Sequence, residues 1–280
     1  MEENGKAPDL ICYLITSKCV GNCEICISDV DIPDLPTSEA KRVMKKIADG
    51  GVKIISYAGR EPFMREDIFE LIEYTKSLGA KLNIETTGVL LEESHLQKLG
   101  ELELDMLAIS VDSFEEDRCN EMGRPYLSKN HLNQIYNSCN NQEINLKLVT
   151  VVSQLTRNEL EKIGAFLENH SPYVWKLRQF TPRSAGHINQ KKYRISEKEF
   201  KEHVNRTVSR FSNLNIVGKT SAQQSGTAFM IFPNGQIAQP FGKGHLLHGN
   251  ILNTNLKDIW NKQYTLEKRV SHRENFENTY

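Results

Sequence analysis

The sequence predicts an α/β fold, a partial barrel of six strand–helix units followed by a C-terminal extension. Three observations predict it. Short apolar or β-branched runs alternate with helix-period patterns between residues 10 and 180, the texture of a parallel sheet with right-handed crossovers. The motifs rich in Cys, Gly, Thr and Asp fall just after successive strands. Finally, 39% hydrophobic and 25% charged residues over a length of 280 is ordinary globular usage, enough to build one large core.

The units follow in order. Residues 10–15 read as a buried strand, and a cysteine loop follows directly. After Pro33 and Pro36, Thr37 is placed to cap a helix with Ala40, Val43, Met44 and Ile47 at helical spacing, stopped by Gly50-Gly51. Val52–Tyr57 is the second strand. A helix near 66–78, a strand at 81–85, a helix near 92–99 and a strand at 105–110 continue the alternation. A helix near 129–139, the strand Ile144–Val152, a helix at 157–169 and the strand Val174–Phe180 complete it. Residues 1–181 are thus expected to form the core. Residues 182–280 are expected to be an extension that closes the barrel and contributes to the substrate site. Within it, Arg183–Arg194 is a polar stretch that reads as a solvated loop around Lys191-Lys192, Ser196-Glu-Lys-Glu opens a helix, and Phe229–Ala238 reads as a hairpin turning on Pro233-Asn234-Gly235.

Charge and composition exclude several classes. With 35 Lys and Arg against 36 Asp and Glu, the chain has no long-range field to gather nucleic acid or an anionic membrane. Neither partner is expected, and an anionic substrate needs a local basic pocket. No stretch approaches the ~20 apolar residues needed to span a bilayer, and the polar start Met1-Glu-Glu-Asn-Gly-Lys6 has no secretory pattern, so the expected address is cytoplasmic. Short-period repeats and low-complexity tracts are not apparent.

Of six cysteines, three crowd into Cys19-Val-Gly-Asn-Cys23-Glu-Ile-Cys26. Such a loop can give three thiolates to one iron–sulfur cubane and leave the fourth iron open to an external ligand, as catalytic metal sites keep an open position. The zinc alternative needs a distant fourth ligand such as Cys12 or a histidine, and the spacing is not the paired Cys-x-x-Cys form. Cys12, Cys119 and Cys139 have no ligand-like spacing and read as small buried or partly buried side chains.

The Cys-x-x-x-Cys-x-x-Cys spacing after the first strand resembles the radical S-adenosylmethionine (SAM) superfamily, and the resemblance covers most of residues 9–180. It implies a TIM-like partial barrel in which Cys19, Cys23 and Cys26 hold a 4Fe–4S cluster. It further implies that SAM chelates the unique iron, that an electron breaks its sulfonium bond, and that the 5′-deoxyadenosyl radical abstracts a substrate hydrogen. An external electron donor such as flavodoxin or ferredoxin would supply the reduction. Ile25 stands where the family usually has an aromatic residue.

Ala58-Gly59-Arg60-Glu61-Pro62 resembles the family's Gly-Gly-Glu-Pro loop, with Arg60 in place of the second glycine, and implies cofactor contacts at Gly59 and Glu61. Arg60 is expected either to point outward or to serve a carboxylate or phosphate. Thr86-Thr87-Gly88 is similar to the Ser/Thr-Asn-Gly turn, so Thr87 is a further cofactor candidate. Ser110, in Ile109-Ser110-Val111-Asp112, and Arg124 complete the set, Arg124 facing a carboxylate or phosphate. Ligands of parallel α/β folds collect outside the carboxyl ends of the strands, where all these loops lie.

Within the superfamily, Leu104–Glu116, Gly123-Arg124, Lys129-Asn130-His131, Val174-Trp175-Lys176 and Ile195–Phe200 resemble the viperin family of nucleotide dehydratases, a viperin-like and MoaA-like subgroup. That implies a nucleotide or nucleoside substrate gripped by Lys147 and Lys176, with Lys243 as a further match, while Trp175 reads as packing. Phe229 stands where viperins carry a tyrosine. Phe229–Ile251 and Leu256–Trp260 instead resemble the C-terminal region of peptide-modifying SPASM or twitch enzymes. No cysteine follows Cys139, so that region has no thiolates for an auxiliary cluster. Three readings result: a radical SAM enzyme acting on a nucleotide or other small metabolite, a modifier of a ribosomally made peptide, and a cluster-bearing regulator or scaffold without turnover. No acid/base pair is assigned; Glu85 and Asp112 lie at strand ends with open roles.

Overall fold

The computed structural model describes residues 7–28, 30–224, 229–256 and 259. The expected units are present in order: β1 (Leu10–Tyr13), α1 (Thr37–Asp49), β2 (Ile54–Tyr57), α2 (Ile68–Ser77), β3 (Lys81–Thr86), α3 (Glu93–Glu101) and β4 (Met106–Ser110). An unforeseen short helix, α4 (Glu116–Glu121), precedes α5 (Lys129–Asn141), β5 (Asn145–Val152), α6 (Leu160–Leu167) and β6 (Val174–Gln179). Then come α7 (Ala185–Ile188), α8 (Gln190–Tyr193), α9 (Glu197–Arg210), β7 (Ile216–Lys219), α10 (Ser221–Gln224), β8 (Met230–Ile231), β9 (Gln236–Phe241) and β10 (Gly244–Asn250).

All strands join one open sheet in the order β10-β9-β8-β1-β2-β3-β4-β5-β6-β7. Strands β1 to β7 are successively parallel, and β8 adds to the other side of β1, also parallel. The parallel sheet is therefore longer than six strands, because residues 216–219 supply a seventh whose short, Gly-containing sequence carries little periodic signal. The β8–β9 hairpin forms as read, Met230 opposite Ala238, and β10 extends it antiparallel.

Strand alternation sorts side chains between two environments. Ile11 and Tyr13, Ile55 and Tyr57, Leu82 and Ile84, Leu146 and Leu148, and Trp175 and Leu177 are buried in the main apolar cluster, shared with the helices. Their neighbours Cys12, Ser56, Asn83, Glu85, Lys147, Lys176 and Arg178 line a central cavity instead. Helix α1 contributes Ala40, Val43, Met44 and Ile47 to the core, the stripe its spacing predicts. Pro36, not Thr37, is its N-cap; Thr37 begins the helix and its hydroxyl donates to Asp67 at 2.7 Å. Helix α9 has the capping box legible in Ser196-Glu-Lys-Glu199. Among the described residues no helix is long and apolar enough to cross a membrane; Met1–Lys6 and most of Leu256–Trp260, including Trp260, lie outside the described residues.

One buried ion pair braces the strand that leads to the cysteine loop. Arg65 grips Asp67 through two bonds, 2.7 and 2.8 Å, and also donates to the carbonyls of Ile15 and Leu35. The Arg65 bond, ahead of burial and the Thr37 bond, holds the Asp67 carboxyl below the ordinary range. A carboxylate so depressed stabilises the fold above its unfolded pKa of ~3.9, and that contribution is lost as pH falls below this through the folded value. Asp67→Asn is expected to lower stability by up to about 3 kcal/mol near neutral pH. Thermal melts should show the gap from the parent protein closing as the pH is taken below about 4.

Candidate active site

The cysteine loop is held from both sides by backbone contacts. At its entry, Asp34 accepts from the Thr16 hydroxyl at 2.6 Å and the Ser17 N–H at 2.8 Å, and the Glu61 N–H donates to Lys18 at 3.0 Å. In its middle, Asn22 N donates to Gly123 O at 3.0 Å and Glu24 N to Met122 O at 2.9 Å, so the turn after α4 is its platform. Gly123 has φ +64, and a Cβ there would collide with the Asn22 carbonyl oxygen. Gly123→Ala is expected to lose at least about 1–2 kcal/mol through the left-handed conformation alone and to displace the loop. The check is iron retention after anaerobic reconstitution, which should fall more than the melting temperature does.

The polar stretch Arg183–Arg194, expected to be a solvated loop around Lys191-Lys192, instead folds there into α8, and with α7 it clamps the far side of the cysteine loop. Tyr193 donates to Glu24 at 2.6 Å, Lys192 pairs with it at 2.9 Å, the Asn189 amide donates to Glu24 O at 3.2 Å, and Gly186 N donates to Cys26 O at 3.3 Å. Its polar residues look solvated in sequence because their partners lie more than 150 positions away.

All three cysteines are partly exposed and line one cavity of about 350 Å³. Burial pushes the Cys23 thiol up to about 11, with Arg124 working against it. Such a thiol holds its proton until a metal replaces it, and three thiols with no disulfide partner are the donor set an iron–sulfur cubane takes. Among the described residues no three His, Cys, Asp or Glu side chains close on a point where one ion would sit. Thiols spread along a loop suit the separate corners of a cubane. Cys12 also faces this cavity, from β1, rather than being sealed in the strand, while Cys119 and Cys139 are buried as read.

The strand-end loops converge on the same cavity. Gly59 (φ +74) lines it, and a Cβ there would strike Leu14. Arg60 occupies the glycine position in the left-handed region, φ 56, and its Nε donates to Ser17 O at 2.8 Å, so it fastens the cysteine loop to the β2 end. Glu61 is fully buried and does not line the cavity; its carboxylate accepts from Thr86 Oγ1 at 2.7 Å, Thr87 N at 2.9 Å and Thr87 Oγ1 at 2.6 Å. Glu61 thereby ties the loop after β2 to the turn after β3. Thr87 and Ser110 reach the cavity wall, as does Arg124, whose guanidinium lies 2.9 Å from Asp112 Oδ2. Asp112 is buried, accepts from Val151 N at 2.7 Å, and has its carboxyl pushed up by burial against the pull of Arg124.

The same cavity has a cationic wall. Lys147, 2% exposed, sits 3.7 Å from Glu85, to which β4 registers it through Ala108. Lys176 lies near the start of β6, with Arg178 two residues on and Lys219 paired with Arg178 across β6–β7. Among the described residues six cationic side chains (Arg60, Arg124, Lys147, Lys176, Arg178 and Lys219) line the cavity against two acidic ones, Glu85 and Asp112. Burial, reinforced by Lys147 and Arg178, pushes Lys176 down to about 7. The Glu85 carboxyl, which burial alone would raise, is held low by Lys147, Arg178 and Lys176. Arg178 and Lys219 were not legible as site residues, since Lys219 depends on a seventh strand. Lys243 is not brought to the cavity: it is exposed in the β9–β10 turn, where its carbonyl accepts from Ser184 N at 3.2 Å. Phe229 is fully buried in the core.

The chain is an α/β protein whose parallel sheet carries a three-cysteine loop at the carboxyl ends of its strands. Residues 13–167 match the model of the radical SAM superfamily, more than half of the chain, and the protein belongs to that superfamily. It is 32% identical over 187 residues to S-adenosylmethionine-dependent nucleotide dehydratase RSAD2 of Siniperca chuatsi, covering 63% of this chain and 52% of that protein. It is 26% identical over 266 residues to S-adenosylmethionine-dependent nucleotide dehydratase of Flammeovirga pacifica, covering 90% of each. The chain thus spans about half the length of the first of these relatives. Among solved structures, Streptococcus suis SuiB bound to precursor peptide SuiA aligns with a TM-score of 0.74 at 17% identity, over 92% of this chain and 65% of that one, a likeness of fold.

Proposed function

We propose that the protein is a radical SAM enzyme acting on a small anionic metabolite, a nucleotide or nucleoside phosphate, with residues 182–280 completing the substrate site. The observation that carries this reading is one cavity lined by both the cysteine loop and a cationic wall. A 4Fe–4S cluster with SAM bound supplies reductive cleavage of the sulfonium and a 5′-deoxyadenosyl radical. In this reading Cys19, Cys23 and Cys26 hold the cluster, and the Gly59, Thr87, Ser110 and Arg124 positions meet SAM. Glu61 serves as a positioning residue, since its carboxylate is committed to Thr86 and Thr87. Lys147, Lys176, Arg178 and Lys219 take the substrate's anionic group. Point charges on strands, already desolvated, bind phosphate without further loss of their own hydration. The electron comes from an external one-electron donor, and the cytoplasm is the fitting compartment for six cysteines free of disulfides.

Support for the nucleotide class comes from the two nucleotide dehydratases above, and modification of a ribosomally made peptide is the competing reading. The deciding experiment is 5′-deoxyadenosine formation by anaerobically reconstituted, reduced protein. Nucleoside triphosphates are expected to raise its rate several-fold over SAM alone. A rate indifferent to every nucleotide, with SAM still cleaved, would sink the substrate class and leave the peptide reading.

A further inference from the structure

Asn83 lines the cavity from the middle of β3 and is 1% exposed. Strand register puts it on one rung with Ser56 and Cys12, and all three face the cavity. Its amide nitrogen donates to Ser56 Oγ at 2.6 Å, and its side chain faces the Glu85 carboxylate closely enough to favour the ionised form. An ionised carboxylate only accepts, so the nitrogen end is fixed toward Glu85. The carbonyl oxygen Oδ1 is left buried with no hydrogen-bond partner. A buried acceptor without a partner is costly, and a donor brought by a ligand removes that cost. Two strands further on Lys147, and three strands further on Lys176 and Arg178, line the same cavity.

We propose that Asn83 is a specificity-determining residue: its Oδ1 accepts a hydrogen bond from a neutral O–H or N–H of a two-part substrate whose anionic group rests on the lysine–arginine wall. The inference builds on the anionic-substrate reading and refines it. The site asks for an organic phosphate with a hydroxyl or amino group at a fixed distance from its charge, and a bare polyphosphate meets only half of that demand. A site built around a substrate donor discriminates strongly against the analogue lacking it, because the acceptor is again left orphaned.

The test is calorimetric titration of the cluster-loaded protein with inorganic tripolyphosphate, nucleoside triphosphates, and analogues each lacking one donor (2′-deoxy, 3′-deoxy, and base-deaminated). The parent protein is expected to bind one analogue about 10–100-fold more weakly than its complete counterpart, the factor a lost buried hydrogen bond implies. In Asn83→Leu that difference should vanish, with tripolyphosphate affinity unchanged within about twofold. If the variant binds tripolyphosphate and still discriminates among the analogues as the parent does, the assignment of Asn83 is overturned while the anionic reading stands. If the variant loses tripolyphosphate as well, the parent series decides, and an absence of any analogue weaker by more than about twofold overturns the assignment. Failure of the parent protein to bind any of these anions overturns the anionic reading itself.

Discussion

Cys23→Ser is expected to abolish iron and sulfide retention and to reduce 5′-deoxyadenosine formation by more than about 100-fold, since even the outer-shell partners of metal ligands are worth 10–100-fold. Serine matches the size of cysteine but is a poor partner for iron, so the loop is left intact while its donor is removed. The bonds that hold it, Asn22 N to Gly123 O, Cys26 N to Cys23 O and those of Glu24 to Tyr193 and Lys192, do not involve the Cys23 sulfur. The fold should therefore persist, with melting close to that of the parent apoprotein. Cys12→Ser is the matched control, because Cys12 lines the same cavity but projects from β1. It should keep full iron. Iron retained by Cys23→Ser but lost by Cys12→Ser would reassign the cluster ligands.

The second large effect concerns the cationic wall. Lys176 lies close to Lys147, Arg178 and Lys219, with the Glu85 carboxylate acting against them, and Cys12 is a neutral titratable group nearby. Burial and the like charges hold Lys176 near 7, against ~10.4 for a free lysine. Between these values the unfolded chain binds more protons than the folded one, so the empty protein gains stability as pH rises from about 7 toward 10. Anion affinity has the opposite sign: it is greatest where Lys176 is charged and falls as pH rises above about 7. The double substitution Lys176→Gln, Arg178→Gln is expected to raise KM for the anionic substrate about 30–3,000-fold, the loss that removing close charge partners, about 2–5 kcal/mol, entails. Basal SAM cleavage should be nearly unchanged and the melting temperature equal or higher, because uncompensated repulsion has been removed. A site that is destabilised when empty and relieved when filled is what a stability–function trade-off looks like at the level of side chains.

Much of this was legible in the sequence because it is local. The Cys19–Cys26 spacing, the order of strands 10–180, the α9 capping box and the hairpin on Pro233-Asn234-Gly235 each depend on residues a few positions apart. Strand alternation then carries Lys147 and Lys176 into the cavity together. What could not be read was set by long-range register. Lys219 becomes a cavity residue only when Ile216–Lys219 adds to β6, and Asn83 stands out only because Oδ1 finds no partner in three dimensions. Lys243 failed for the converse reason: the β9–β10 turn carries it to the surface. Glu24, between two of the cysteines, gave no signal at all, since its partners Lys192 and Tyr193 belong to a stretch whose composition reads as solvent-facing. Arg60 shows that substitution of a motif glycine need not undo the loop. It keeps the left-handed backbone and repays the strain with a bond to the cysteine loop.

Electron paramagnetic resonance of the dithionite-reduced, reconstituted protein tests the central claim most directly. Three thiolate ligands leave one iron able to take an outside ligand, so adding SAM should change the g-values and line shape of the reduced cluster. A spectrum that SAM leaves unaltered, from protein with full iron and sulfide, would contradict the account.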